Sequence, residues 1–359
     1  MQKINQAYPK EYFQEALQEY SCILREAWDG VMVLDSQGVI KYLNPNGQKL
    51  LGVQGNVIGK KYALILFGDE FKIKENKDFH QFLLDAVSSR EQNRKKNIIY
   101  TRIDGIRLEF YLAASFLFDE KNSLQERVVI RFSDVTELMQ QQKKYKEAAN
   151  IFAVALIFLC IWIFAYILWE GLKRPVSGKV MELPALAGSI GMFWYIRRKT
   201  DFSFEDMGLG TRRLREVVYA DSIITLIGLF LMTDVKLVIM IISPGYFDKD
   251  VPFWNWGIMD WSYWIYPVTV VLQEFWVQGV IHGSLRRILT GKNSEWTAII
   301  ASALCFGILY IHKGLAYMVV LAVLFMVPGM LYSRQGTIWG ACIPHFVFGL
   351  ALGLLGISF

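Results

Sequence analysis

The run IFAVALIFLCIWIFAYILW, Ile151–Trp169, holds 19 residues without a charge. At 1.5 Å per residue, a helix of that length roughly matches the ~30 Å hydrocarbon core of a bilayer. The segment splits the 359-residue chain into two folding problems, and charge follows the split. Of the 71 charged residues, 42 lie in the first 150 positions and 29 in the remaining 209. The first part therefore reads as a water-soluble domain and the second as a polytopic membrane domain. The start, MQKINQAYPKEYFQEALQEY, has no apolar core for a cleaved signal, which places the first domain in the cytoplasm as an expectation. The net charge of +5 divides as +2 and +3 and gives no support to nucleic-acid binding. Cys22, Cys160, Cys305 and Cys342 lack paired spacing, and the three in apolar segments, Cys160, Cys305 and Cys342, read as small hydrophobes, not as disulfide or zinc partners.

In the first part, VMVLD (Val31–Asp35) and VIKYLN (Val39–Asn44) are β-type runs joined by Ser-Gln-Gly, where glycine supplies the positive φ of a hairpin turn. A polar, helix-prone middle follows. From Tyr100 to Glu137, β-type runs alternate with turns at Asp104-Gly105 and Asp119–Asn122. An α+β domain with an antiparallel sheet and helices is expected. DGVMVLDSQGVIKYLNPNGQKLLG, the late strands and the closing DVTE (Asp134–Glu137) resemble the PAS family over about residues 20–140. That resemblance implies a sensor of a small molecule, redox state or light, or a dimerising module, so a homodimer is the partner it suggests. Haem, flavin and a small metabolite are the cofactors to weigh. The central helical region carries no cysteine, which argues against the flavin-adduct type. His80, in DFHQFLLDAV, is the candidate haem ligand, set against the plainer role of a structural histidine at a helix start.

LMQQQKKYKEAAN, Leu138–Asn150, has no Gly or Pro and many helix formers, so one helix is expected to run from the sensor into the Ile151 segment. The chain then parses as an extension (1–19), the sensor (20–140), a helical linker (141–150), the first membrane helices (151–200) and a larger all-α membrane bundle (201–359). Further apolar segments at about 183–196, 216–243, 262–284, 296–311, 315–332 and 335–357 bring the expected spans to seven. Positive residues fit a cytoplasmic N-terminus: Arg197, Arg198, Lys199, Arg212, Arg213, Arg215, Arg286, Arg287, Lys292 and Arg334 all fall on the inner side. PGYFDKDVPFWNWGIMDW falls outside, with Trp254, Trp256, Trp261 and Trp264 as interface anchors, and the C-terminus ends outside. GLKRPVSGKV, the first outer loop, fits this rule poorly.

A carboxylate in the middle of WIYPVTVVLQEFWVQGVIHGSL needs a reason. At a bilayer centre it costs about 2.5–3.5 kcal/mol on insertion scales, so Glu274 is expected to face a bundle interior or a wet cavity. Glu274, Gln278 and His282 follow at i, i+4 and i+8, with Gln273 beside them. Two more polar groups stand in FGILYIH (Tyr310, His312) and PHFVFG (His345, one turn before Gly349). Converging, they would line a polar cavity. Tyr310 reads as a filler of that cavity. His282, next to Arg286 and Arg287, reads as an interfacial histidine. A metal site from Glu274, His282 and His345 has no HExxH behind it and is not assigned.

QEFWVQG, SALCFGILY and MLYSRQGTIWGACIPHFVFG, in that order between about Glu205 and Leu355, resemble the CAAX-protease and bacteriocin-processing (CPBP, or Abi) family of intramembrane proteins. Its motifs are EExxxR, FxxxH and HxxxN or HxxxD. The resemblance implies that a glutamate and the FxxxH histidine activate water while the third motif stabilises the oxyanion. At the matching positions this chain has Gln273, Glu274, Gln278, Tyr310, His345 and Gly349, so only Glu274 and His345 keep family identities. An amide is no general base at neutral pH, and tyrosine, with a pKa near 10, is a poor substitute for histidine. Three readings follow. One is a non-proteolytic signalling protein whose cavity binds a peptide, a lipid or a partner helix. Another is a surviving endopeptidase using Glu274 with help from His282, His312 or His345 on a prenylated or bacteriocin-like membrane peptide. The last is a transporter.

Overall fold

The computed structural model describes residues 22–68, 70–88, 94–117, 127–173, 183–211, 214–243, 245–247, 252–259 and 262–356. The expected 1–19 extension, the Asp119–Asn122 turn, most of GLKRPVSGKV, Trp261, Arg212 and Arg213 lie outside the described residues. The chain divides into two compact units, Met1–Gln142 and Lys143–Phe359.

In the first unit, β1 (Gly30–Asp35), β2 (Ile40–Leu43), β3 (Arg94–Thr101), β4 (Arg107–Leu117) and β5 (Arg127–Asp134) form an antiparallel sheet in the order β2-β1-β5-β4-β3. The first hairpin closes as the sequence predicts: Gly38 takes φ 72°, and the Asp35 carboxylate accepts from the Gln37 and Val39 N–H groups at 2.9 Å each. Asn44 anchors the start of α1 (Pro45–Leu51). Its side-chain oxygen accepts from Val31 and Gly47, while its amide donates to the Leu24 and Asp29 carbonyls. This fully buried amide therefore has its hydrogen-bonding capacity filled. Helices α2 (Tyr62–Leu66), α3 (Glu70–Glu75) and α4 (Lys77–Ser88) follow. Between α4 and the sheet runs a file of rings: Phe79 lies 4.8 Å from Tyr100, Tyr100 stacks on Phe110 at 5.6 Å, and Phe110 lies 5.5 Å from Phe132.

The closing DVTE turns the last strand into a helix. Thr136 donates its N–H to the Asp134 carboxylate at 2.9 Å, and its hydroxyl accepts the Glu109 N–H at 2.8 Å. From there α5 (Thr136–Gly171) runs unbroken for 36 residues through the expected linker and the Ile151 segment. Ala148, Ile151, Ala155, Leu159 and Trp162, three or four apart, form its buried seam, while Leu156, Ile157, Ile161 and Phe164 are exposed. An apolar exposed face is what a helix in lipid presents.

The remaining elements are α6 (Leu183–Lys199), α7 (Leu214–Ile242), α8 (Ser262–Glu274), a π-helical stretch (Phe275–His282), α9 (Gly283–Ile288), α10 (Ser294–Leu309), α11 (Leu315–Leu324), α12 (Met326–Gln335) and α13 (Ile338–Leu354). Among the described residues, each expected apolar segment contains a helix. Among the described residues, three stretches are long and apolar enough to cross a membrane: Thr136–Gly171, Leu214–Ile242 and Leu315–Gln335. Two segments depart from plain α-helix. The 315–332 run breaks at Phe325 between α11 and α12, and the QEFWVQG run passes into π winding directly after Glu274. π-bulges occur frequently at functional sites.

Candidate functional site

Glu274 ends α8 with no exposed surface, and its Oε1 lies 2.8 Å from Nδ1 of His345 on α13. Its neighbour Gln273 faces elsewhere, donating from Nε2 to the Tyr310 hydroxyl at 3.0 Å, where α10 ends. A step of 100° between neighbouring helix residues sends one side chain to α13 and the other to α10, and both directions are interior. Edges of Phe306 and Phe325 grip the His345 ring at 5.2 and 5.4 Å, and those two phenyl rings stack at 3.6 Å. The imidazole thus packs on one side against the edges of a stacked phenyl pair and is held at Nδ1 by a carboxylate.

Gln278, inside the π stretch, continues the polar line. Its carboxamide adjoins Glu274, and its Oε1 is 2.9 Å from Nδ1 of His282. His282 is fully buried in the protein, 3.3 Å from the Ser333 hydroxyl through Nε2 and 3.5 Å from Ser302 through Nδ1. Those hydroxyls, from α12 and α10, are what allow a polar ring in the interior. His312 stays apart from the Glu274–His345 pair, with Nδ1 3.2 Å from the Leu309 carbonyl and its ring 6.0 Å from Tyr310 and 6.1 Å from Trp162. In the sensor unit, the His80 ring packs 5.3 Å from Phe67 and 5.9 Å from Tyr62, and burial holds its pKa below the ordinary 6.5.

Gly349 has a neighbour that no sequence pattern announced. A Cβ placed there would lie 1.8 Å from the hydroxyl of Tyr266, which comes from α8 and packs its ring 5.7 Å from Phe346. The tyrosine hydroxyl occupies the space into which any side chain at 349 would grow. Two buried charges were likewise passed over in the apolar run of α7. Asp221 receives both its hydrogen bonds from the Gln335 amide, at 2.7 and 2.9 Å, beside Gly340, where a side chain would meet both groups. Lys236 donates to the Phe253 carbonyl at 2.6 Å between the rings of Phe247 and Phe253. A charge inside an apolar run, the signal that singled out Glu274, was available for both.

Three polar atoms in the site are buried without a hydrogen-bond partner: Gln273 Oε1, Glu274 Oε2 and Gln278 Nε2. Among the described residues, no cluster of His, Cys, Asp and Glu is arranged to hold a metal ion.

Residues 29–137 match the PAS domain family model, and residues 255–351 match that of the Type II CAAX prenyl endopeptidase Rce1-like family. An N-terminal PAS domain is fused to an Rce1-like CAAX-protease domain. The Rce1-like match is narrower than the 205–355 resemblance, yet it includes Gln273, Glu274, Gln278, Tyr310, His345 and Gly349. Among solved structures, the PAS domain of the HTR-like protein from Haloarcula marismortui is similar at 19% identity, covering 35% of this chain and 96% of its own, with a TM-score of 0.27. The PAS domain of Bordetella pertussis BvgS is similar at 21% identity, covering 37% of this chain and 98% of its own, with a TM-score of 0.29. Comparison with curated proteins gave no match. Within the Rce1-like domain, the first-motif and second-motif positions meet as amide and phenol, and the first-motif and third-motif positions meet as carboxylate and imidazole.

Proposed function

We propose that the protein is a PAS-regulated membrane signalling protein whose Rce1-like domain binds a membrane peptide without cleaving it. The observation that carries this reading is the 3.0 Å hydrogen bond between Gln273 and Tyr310. Where the resemblance calls for a base and its partner, two neutral groups are hydrogen-bonded to each other, and neither takes a proton from water at neutral pH. A partnerless atom suits a ligand: Gln273 Oε1 is a buried acceptor that a main-chain N–H of a bound peptide would satisfy. The expected seven spans, with the PAS domain in the cytoplasm and the C-terminus outside, belong to this reading.

The Glu274–His345 pair favours a second one. A carboxylate fixing one nitrogen of an imidazole leaves the other to take a proton from water, the base-and-orienter arrangement of many hydrolases. Purified protein in liposomes, incubated with prenylated and unprenylated membrane peptides, separates the two. The signalling reading expects intact peptides from wild type. Cleavage by wild type that disappears in both Glu274→Gln and His345→Ala would replace it with the endopeptidase.

A further inference from the structure

The turn TDFSFEDMGLG, Thr200–Gly210, joins α6 to α7 and lies outside the three motifs. It is built to hold its shape. Ser203 donates its N–H and hydroxyl to the Asp206 carboxylate at 3.0 and 2.7 Å, the Asp206 N–H returns to the Ser203 hydroxyl at 3.1 Å, and Gly208 takes φ 73°. Phe202 and Met207 are buried.

This turn grips both helices that present the Glu274–His345 pair. On the first-motif side, the Met207 carbonyl lies 2.6 Å from where a Cβ of Gly279 would be, so main chain packs directly on the π stretch. Two turns further, Arg287 donates to the Asp206 carbonyl and carboxylate at 2.9 and 3.2 Å, with its guanidinium 4.8 Å from the Phe202 ring. On the third-motif side, the Thr337 hydroxyl lies 3.1 Å from the carbonyls of both Gly208 and Gly210 and shares its one proton between them, and the Ile338 N–H donates to the Gly208 carbonyl at 2.9 Å. The same turn is also tied to α5: Lys143 pairs with Asp201, whose N–H donates to Glu147 at 3.3 Å. The ion pair is exposed, so solvent screens it and it holds the turn only weakly. The firmer tie is apolar, because Ala148 and Ile151 of α5 share one buried cluster with Phe202, Met207, Phe275 and Val277.

We propose that the Thr200–Gly210 turn transmits displacement of α5 to the Gln273–Glu274–His345 site. Helix α5 begins immediately after the last strand of the PAS sheet, so its position is the variable a sensor can set. Close-packed interiors pass a shift on to their neighbours, and the turn meets the π stretch through main chain, where no side chain can absorb the movement. The biological meaning of this coupling rests on the regulated-receptor reading, but its physical test does not.

Hydrogen–deuterium exchange of the full chain in lipid nanodiscs reads the coupling in residues 275–282 and 337–345. Ala148→Leu, at a fully buried seam position, displaces α5. Exchange in both segments is expected to change by roughly 2- to 30-fold, the range for substitutions along a coupling route. In a released background, Asp206→Asn with Thr337→Val, the same substitution should give a smaller change in both segments, because the main-chain contacts at Gly279 and Ile338 and the Phe158–Trp276 ring contact remain. Ala148→Val is the gentler perturbation if the leucine variant does not fold, and melting curves confirm that each variant is intact. An undiminished response in the released background, or no response to either α5 substitution in the wild-type background, overturns the proposal. Peptide cleavage by wild type would overturn the signalling reading and leave the exchange result as it stands.

Discussion

Gly349→Ala adds one methyl group to the third motif at a point where the structure has no room for it. The new Cβ would sit 1.8 Å from the Tyr266 hydroxyl and 2.9 Å from the ring carbon that bears it, against ordinary contacts of 3.4–4 Å. The ring must swing by more than 1 Å, and it is wedged between His345, at 6.5 Å between centroids, and Phe346, at 5.7 Å. Overpacking of this kind costs about 1–3 kcal/mol. For a unit of this size that lowers the apparent Tm by roughly 2–12 °C, at about 2–4 °C per kcal/mol. Shortening the opposing side chain should undo the damage: in a Tyr266→Leu background, Gly349→Ala should cost less than about 0.5 kcal/mol, giving a coupling energy of at least ~0.5 kcal/mol in the double-mutant cycle. Thermal melts of the four proteins in one detergent measure it. A Gly349→Ala protein that melts within about 1 °C of wild type, or a cost unchanged by Tyr266→Leu, would refute the assignment of that space to the tyrosine hydroxyl.

Other perturbations follow from the same contacts. Asn44→Ala removes a helix cap and leaves buried main-chain groups unpaired, so it should cost the PAS domain roughly 2–4 kcal/mol in a denaturant melt. Gln335→Leu strips both hydrogen bonds from buried Asp221 and should cost about 1–3 kcal/mol or more; Asp221→Leu added to it should recover most of the loss, and an additive second loss would refute the pairing. Burial alone would raise the Asp35 carboxyl, but the Val39 and Gln37 N–H groups and the Lys41 ammonium hold it below its ordinary value of 3.8. A depressed folded value means stability that is present above about pH 4 and lost as pH falls through the folded pKa. Asp35→Asn should flatten the acid limb of the PAS-domain melt, and an unchanged limb would count against the hairpin's role.

Much of the fold was legible because two periodicities and one length carry it. The Ile151 run marked a spanning helix by its length alone, and Ser-Gln-Gly and Asp104-Gly105 marked hairpin turns through the positive φ that glycine tolerates. Glu274 stood out because an intramembrane carboxylate is costly. Its partner could not be read, since the pairing of α8 with α13 depends on tertiary packing and not on spacing. The π winding after Glu274 left no mark in composition, so a plain helix face was expected where the chain winds more loosely. The partners of His282 could not be read either, since the Ser302 and Ser333 hydroxyls beside it come from distant parts of the chain. Tyr266 gave no signal because a tyrosine near an expected membrane boundary looks like an anchor.

The central claim is that the neutral Gln273–Tyr310 pair has taken the place of a catalytic one on a scaffold that still presents Glu274 and His345. The direct measurement compares membrane-peptide cleavage in liposomes by wild type and by a chain carrying Gln273→Glu, Tyr310→His, Gln278→Arg and Gly349→Asn, with Tyr266→Leu to open the space at 349. The account predicts intact peptide from wild type and cleavage by the restored chain. Cleavage by wild type, abolished by Glu274→Gln and untouched by Gln273→Ala, would contradict it.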